Sequence, residues 1–396
     1  MSVSNTIKAQ MGESSWIRKM FEEGNKLRSI HGNEKVFDLS LGNPLLEPPS
    51  SFKDKLIEIL ENEPAGSHRY MPNGGFADVR DSIARNIRGE TGINFEGNDI
   101  LMSIGAAGGM NVILRSILDP GDEVVIIAPY FAEYKFYIQH NNGKVIETQC
   151  DDKWCPDLES LRNAMTNRTK AVIINSPNNP TGVIYNSSII QSIAEILKKC
   201  EQQYGNDIYL ISDEPYRKLI YTDVKYPFIY DYYTHSIGVT SHSKDLGLAG
   251  ERIGYISVNP ADENRSTLMD ALTFSMRTLG FVNAPALMQK VVSQLQETTV
   301  DISVYQKKRD YLYSKLIDIG YDCVLPEGAF YLFPKSPIAS DEDFVKNLQD
   351  NLVLVVPGSG FGKKGYFRIS YCVEDSVLEG SIKGFAKVFQ YYKNES

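Results

Sequence analysis

Between residues 99 and 258, seven short apolar runs alternate with amphipathic stretches, and this limits the possible folds more than any other feature. The runs are DILMSIG (99–105), EVVIIAP (123–129), KVIET (144–148), KAVIINSP (170–177), DIYLISD (207–213), SIGVTSHS (236–243) and RIGYISV (252–258). They are short and β-branched, which predicts strands buried on both faces. MNVILRSIL (110–118), LESLRNAM (158–165) and IIQSIAEILKKC (189–200) predict helices between them. Parallel neighbours need a crossover, so strand–helix alternation predicts a mostly parallel sheet covered by helices. The fold class is α/β, with a large unit built on a mostly parallel seven-stranded sheet.

The pattern changes outside this block. Residues 14–31 predict a helix opened by a Ser cap, and VFDLSLGNP (36–44) a short strand running into a turn. From about 285 come long helices. YDCVLP, AFYLFP, LVLVVP and YFRISY then predict strands, and residues 375–393 a final helix. Strands clustered between helices predict a small α+β domain, which the N-terminal helix and strand join. The expected division is 1–50 and 285–396 in the small domain and 51–284 in the large one.

Composition excludes several function classes. With 41 Lys+Arg against 50 Asp+Glu the net charge is −9, which argues against a nucleic-acid binder. No apolar run approaches the roughly 18 residues of a membrane span. The start, MSVSNTIKAQ, lacks a basic-then-apolar leader, so a cytoplasmic location is expected. The five cysteines (150, 155, 200, 323 and 372) include no C-x-x-C, and the histidines no H-E-x-x-H, so no metal site is expected. Gly360, Gly362 and Gly365 spell G-x-G-x-x-G, but between two predicted strands rather than before a helix. They read as a strand connection, not a dinucleotide turn.

Four fragments lie at the C-terminal ends of predicted strands, the edge where open α/β sheets bind ligands. GAAGG (105–109) opens a helix with small residues that let backbone N–H groups approach an anion. SPNNPTG (176–182) is a turn carrying Asn179, whose amide suits a phenolic oxygen. SDEPY (212–216) places Asp213 at the end of a buried strand, where a carboxylate needs a partner such as a protonated pyridine nitrogen or a cation within the protein. SHSK (241–244) ends in Lys244, and a buried lysine shifts towards the neutral amine that attacks carbonyls. Ser241 and Ser243 share one strand face, and Arg252 follows eight residues after the lysine. Together they suggest a phosphate-bearing, aromatic, electrophilic cofactor.

In this order the fragments resemble the class I/II aminotransferases, pyridoxal-phosphate enzymes of fold type I. The resemblance runs from LSLGNP (39–44) through PEGAFYLF (326–333) to YFRIS (366–370). It implies pyridoxal 5'-phosphate as cofactor, with Lys244 forming the internal aldimine and then moving the proton between substrate and cofactor. It implies that Asp213 pairs with the pyridine nitrogen and that Asn179 and Tyr216 bind the ring oxygen. It assigns Ala106, Ala107, Gly108, Ser241, Ser243 and Arg252 to the phosphate, and Phe131 to stacking on the ring. Tyr70 would reach the phosphate across a homodimer interface, making the active sites shared. Arg368 would grip the substrate carboxylate, with Gly42 beside it and Asn179 within reach of the substrate. The implied reaction moves an amino group between an L-amino acid and a 2-oxo acid. The alternative is a lyase, synthase or decarboxylase on the same scaffold. Arg277 is a candidate clamp for a distal carboxylate, and Trp16 and Ile17 are candidates for an apolar side-chain pocket.

Overall fold

The computed structural model describes residues 3–12 and 16–395. Its main sheet has seven strands: β2 (Ile100–Ser103), β3 (Glu123–Ile127), β4 (Lys144–Thr148), β5 (Thr169–Asn175), β6 (Tyr209–Asp213), β7 (Ser236–Ser241) and β8 (Gly254–Val258). They lie in the order β2-β8-β7-β6-β5-β3-β4. Only β8 runs against its neighbours, pairing antiparallel with both β2 and β7. Each coincides with one of the seven apolar runs, β5 starting one residue before its run.

Alternation along the strands explains why those runs are apolar throughout. Val125, Ile127, Val172, Ile174 and Leu210 enter one hydrophobic cluster. Val124, Ile126, Ala171, Ile173 and Ile211 enter another. Successive side chains point to opposite faces, so both faces of the sheet are covered. Among the covering helices, Ser187–Tyr204 starts at Asn186, whose side chain accepts from Ile189 N, and stops at Gly205 in the left-handed region.

A third cluster gathers Met20 and Leu39 from the start of the chain with Tyr305, Phe330, Phe344, Phe367 and Phe385 from its end. Strand β1 (Phe37–Asp38) pairs parallel with β10 (Val353–Leu354). Strand β12 (Phe367–Ser370) lies between β11 (Val356–Pro357) and β9 (Tyr331–Leu332), antiparallel to both. Helix Ala286–Ser293, by contrast, contributes Met288, Val291 and Val292 to the cluster around Val79 and Ile83.

YDCVLP forms no strand. Lys335 N donates to Asp322 O at 2.8 Å and Arg309 Nη1 to Pro326 O at 2.8 Å, and the segment ends at Pro326, which has no N–H to give a ladder. LVLVVP is split into β10 and β11. The helix expected over 14–31 spans Trp16–His31 and is preceded by a shorter one, Asn5–Gly12; its expected Ser cap lies outside the described residues. Gly360, Gly362 and Gly365 fall in the connection from β11 to β12, with a single 3₁₀ turn at Gly358–Phe361.

Candidate active site

The strand ends converge because the register is set by the core. Asn175 at the end of β5 sits opposite Asp213 at the end of β6, which in turn sits opposite Val239 of β7. β8 runs the other way, so its first residue, Gly254, pairs with the last residues of β2 and β7, Ser103 and Ser241. That reversal brings Arg252 to the same edge. Helix Gly105–Ile117 starts there too, directly after β2.

These ends line a cleft of about 290 Å³. Of the residues singled out in the sequence, it gathers Gly42, Ala106, Ala107, Phe131, Asn179, Asp213, Tyr216, Ser241, Ser243, Lys244, Arg252 and Arg368. Two stand apart. Gly108 is buried one turn into the helix, where a Cβ would lie 3.2 Å from that of Ile104. Tyr70 is 90% exposed and does not line this chain's own cleft. Arg277 also lies outside the lining, with its guanidinium 5.4 Å from the ring of Phe274. Trp16 packs near Gly360, and the side chain of Ile17 lies outside the described residues.

Lys244 Nζ donates to Gly42 O at 2.8 Å. Burial lowers its pKa to about 8, with Arg368 and Arg252 adding to the effect and Cys372 opposing it. The amine is therefore more readily neutral than a surface lysine. Asp213 Oδ2 accepts from Tyr134 Oη at 2.5 Å. Its other oxygen, Oδ1, is buried and has no hydrogen-bond partner among the described residues. Burial raises the Asp213 carboxyl to about 7, against the pull of the Tyr134 hydrogen bond, and neighbouring Glu214 raises it further.

Asn175 braces this wall. Its Nδ2 donates to Asp213 O at 2.8 Å, and its Oδ1 accepts from Asn179 N at 2.7 Å. Arg368 is 1% exposed, and its Nη1 and Nη2 donate to Asn179 Oδ1 at 3.0 Å and Ser40 O at 2.6 Å. With Asn179 Oδ1 engaged, its amide N–H₂ is the group left to donate. Tyr216 and Tyr331 share a hydrogen bond of 2.8 Å between hydroxyls. Gly42 permits this approach, since a Cβ there would sit 2.0 Å from Tyr331 Oη. At the helix end Gly105 has φ +65°, and a Cβ would lie 2.8 Å from Arg252 Nη2. Only glycine lets the guanidinium rest against the helix N-terminus.

Sequence reasoning missed Tyr134, Asn175 and Tyr331. Asn175 carried the signal that exposed Asp213, a polar residue ending a buried strand. Tyr331 stood inside PEGAFYLF without a role. Tyr134 had no such signal, because it begins a short helix beyond its strand.

A strand-end cleft with a half-buried lysine, a carboxylate oxygen unpaired among the described residues and a cation at a helix N-terminus defines a class of cofactor-dependent α/β enzymes. The comparisons identify the family. The chain matches aminotransferase class I and II over residues 34–383, and it belongs to that family. It is 30% identical to the aspartate/prephenate aminotransferase of Thermus thermophilus over 361 residues, covering 88% of this chain and 90% of that one. It is 31% identical to the aspartate aminotransferase of Bacillus subtilis over 367 residues, again covering 88% and 90%. An aminotransferase structure from Eubacterium rectale superposes with a TM-score of 0.95 at 36% identity, covering 99% of each chain. The Thermus thermophilus aspartate aminotransferase with maleate gives 0.86 at 25%, covering 98% of this chain and 100% of that one. The protein is thus an aminotransferase of a pyridoxal-phosphate-dependent family. Among the described residues no helix is long and apolar enough to cross a membrane.

Proposed function

We propose that this cleft binds pyridoxal 5'-phosphate at Lys244 and uses it to move an amino group from an L-amino acid to a 2-oxo acid. The observation that carries the reading is Asp213 Oδ1, a buried carboxylate oxygen without a partner among the described residues, in the same cleft as the half-buried Lys244. Such an oxygen is costly unless a ligand supplies a donor, and a protonated pyridine nitrogen is one. When bound, the cofactor supplies an aldehyde and an electron-poor ring that takes up charge from the substrate Cα.

The chain's own residues do the rest. The first-turn N–H groups of Ala106 and Ala107, with Ser241, Ser243 and Arg252, hold the phosphate. Tyr216 and the Asn179 amide donate to the ring oxygen, and Phe131 lies against the ring. Arg368 presents a fork to the substrate carboxylate, leaving Ser40 O and Asn179 Oδ1 to compete for it. Lys244, whose amine is more readily neutral than a surface lysine, would take the proton from the substrate Cα and hold it for return.

Tyr70 supports a homodimer. Its segment is tied to the turn after helix Arg265–Thr278 by bonds from Asn73 Nδ2 to Val282 O and from Asn283 Nδ2 to Pro72 O, at 2.9 and 3.0 Å. Exposed Phe274 and Leu279 lie on that helix and at its end. In a dimer Tyr70 would reach the partner's phosphate site. The two chain ends would form a small domain over the larger one. Five free cysteines fit the reducing cytoplasm.

Borohydride reduction of the cofactor-loaded protein tests the assignment: the label should map to Lys244. Aspartate, named in the relatives, is the first donor to assay. It should bleach the cofactor band, and 2-oxoglutarate should restore it. A lyase would regain the band without an acceptor.

A further inference from the structure

The turn that delivers Ser241, Ser243 and Lys244 to the cleft carries two more titratable residues, His242 and Asp245. Both are buried, yet neither lines the cleft. They turn to the opposite side and meet there, with His242 Nδ1 3.1 Å from Asp245 Oδ2. An ionised carboxylate only accepts, so Nδ1 carries the proton in this contact. Lys218 Nζ lies 3.6 Å from the same oxygen and also donates to Gln296 O.

The backbone of both residues is held as firmly. His242 N donates to Ile253 O at 3.0 Å, Leu248 N to His242 O at 3.1 Å, and Val300 N to Asp245 O at 2.7 Å. The ring of Tyr255 lies 6.2 Å from that of His242. Arg217 sits beside Glu90 and Glu214 at 3.4 and 3.9 Å and donates to Tyr255 Oη at 2.9 Å. Burial alone would push the Asp245 carboxyl up, but His242 and Lys218 outweigh it and hold it below the usual range. A turn that only ended a strand would not need this set. Burying ionic groups is costly, and the best-attested return is a fixed geometry.

We propose that His242 is a positioning residue for amino transfer: hydrogen-bonded to Asp245 on the side of the turn away from the cleft, it fixes the direction in which Lys244 enters the cleft. Residues 241, 243 and 244 face the cleft while 242 and 245 face the other way, so rotating the turn would pull Asp245 from Lys218 and break the backbone bonds to Val300 and Ile253. The inference rests on the reading that Lys244 holds the cofactor.

The test uses His242→Phe, which keeps a ring but loses the donor, and His242→Asn, whose amide nitrogen takes the place of Nδ1. Hydrogen exchange of residues 236–252 is measured in the apoprotein. The pH midpoint of the bound-cofactor absorbance and the kcat and KM are measured after loading. His242→Phe should lower kcat on the order of 10²-fold, the scale of a small misplacement of a reacting group. KM should change little, the absorbance midpoint should move, and exchange across the turn should quicken. His242→Asn should restore all of these towards the wild-type values. A His242→Phe protein with wild-type kcat, midpoint and exchange would overturn the proposal, as would an Asn variant that rescues nothing. Asp245→Asn changes the same contact at constant size and decides the matter if the Phe variant does not fold: wild-type behaviour overturns the proposal, and a shifted midpoint with faster exchange supports it. Lys244→Ala separates the two readings. If it retains the covalent cofactor band, the cofactor reading fails. If it loses the band while His242→Phe behaves as wild type, only the positioning role fails.

Discussion

In one half of the cleft, Asp213, Ser241 and Ser243 come from the ends of adjacent strands, and Asp213 keeps an oxygen with no partner. In the other half, Arg368 and Gly42 come from opposite ends of the chain, and its cations already donate to protein oxygens. Arg368 is bonded to Ser40 O, 328 residues away in sequence, and Lys244 to Gly42 O. The first half is a shaped vacancy that a ligand can fill without displacing a bond. In the second, Arg368 Nη1 and Nη2 and Lys244 Nζ are engaged and Arg368 Nε has no partner among the described residues, so a substrate carboxylate gripped by the two Nη groups must replace existing hydrogen bonds. Cofactor binding should therefore depend on groups set by the sheet. Substrate binding should depend on how readily segment 39–43 gives up its hold on the two cations.

The largest effect should come from the residue that joins the halves. Lys244→Ala should lower kcat on the order of 10⁴-fold, the upper range for a positioned acid–base group, and should abolish the covalent cofactor band. Single-turnover mixing with aspartate checks both. Arg368→Lys should follow. Lysine keeps the charge but not the fork, so kcat/KM should fall roughly 10²-fold, in the range for truncating a buried charged pair. The cofactor spectrum without substrate should stay unchanged. A spectrum that moves with Arg368→Lys would break the division into halves.

Next comes a pH dependence of the apoprotein. Asp213 is raised from 3.8 to about 7 and Lys244 lowered from 10.5 to about 8. The native state holds the Asp213 proton more tightly than the unfolded chain, so its contribution is full below about 4 and lost as pH rises through 7. For Lys244 the native state holds the proton less tightly. Its contribution is present above the unfolded value and lost as pH falls through 8. Both groups are thus least stabilising between pH 7 and 8. Thermal midpoints of the apoprotein should dip there by several degrees. Asp213→Asn should flatten the acid side of the dip and Lys244→Met the alkaline side.

The reach of the sequence follows the same division. Six of the seven main strands were legible because burial on both faces leaves unbroken apolar runs, whereas edge strand β4, with Lys144 and Glu147 exposed, is not buried on both faces as expected. Their ends carried the site, so Asp213, Ser241, Ser243 and Lys244 could be found by position alone. Arg368 was legible from a resemblance, but its partner Ser40 was not, since no local pattern joins residues so far apart. In the C-terminal part the strands are only two to four residues long, and YDCVLP, of similar composition, is no strand at all. Runs this short take their conformation from tertiary contacts rather than from their own periodicity. Tyr134 escaped because a helix, not a strand end, brings it to Asp213.

That tyrosine gives the smallest effect and the sharpest probe of the vacant half. Tyr134 Oη is the hydrogen-bond donor to the Asp213 side chain, and it pulls the carboxyl down against burial. Tyr134→Phe leaves both oxygens of Asp213 without a partner in the apoprotein. The carboxyl should then titrate above 7, and the acid side of the stability dip should move to higher pH. Losing a hydrogen bond to a buried charged group costs about 1–3 kcal/mol, so kcat/KM should drop roughly tenfold, far less than for Lys244→Ala. Added cofactor should recover most of the lost thermal stability, because a donor from the ring nitrogen replaces the one removed. If Tyr134→Phe leaves the acid side of the dip where it was, Asp213 is not the group that titrates there, and the vacancy in the sheet half has another cause.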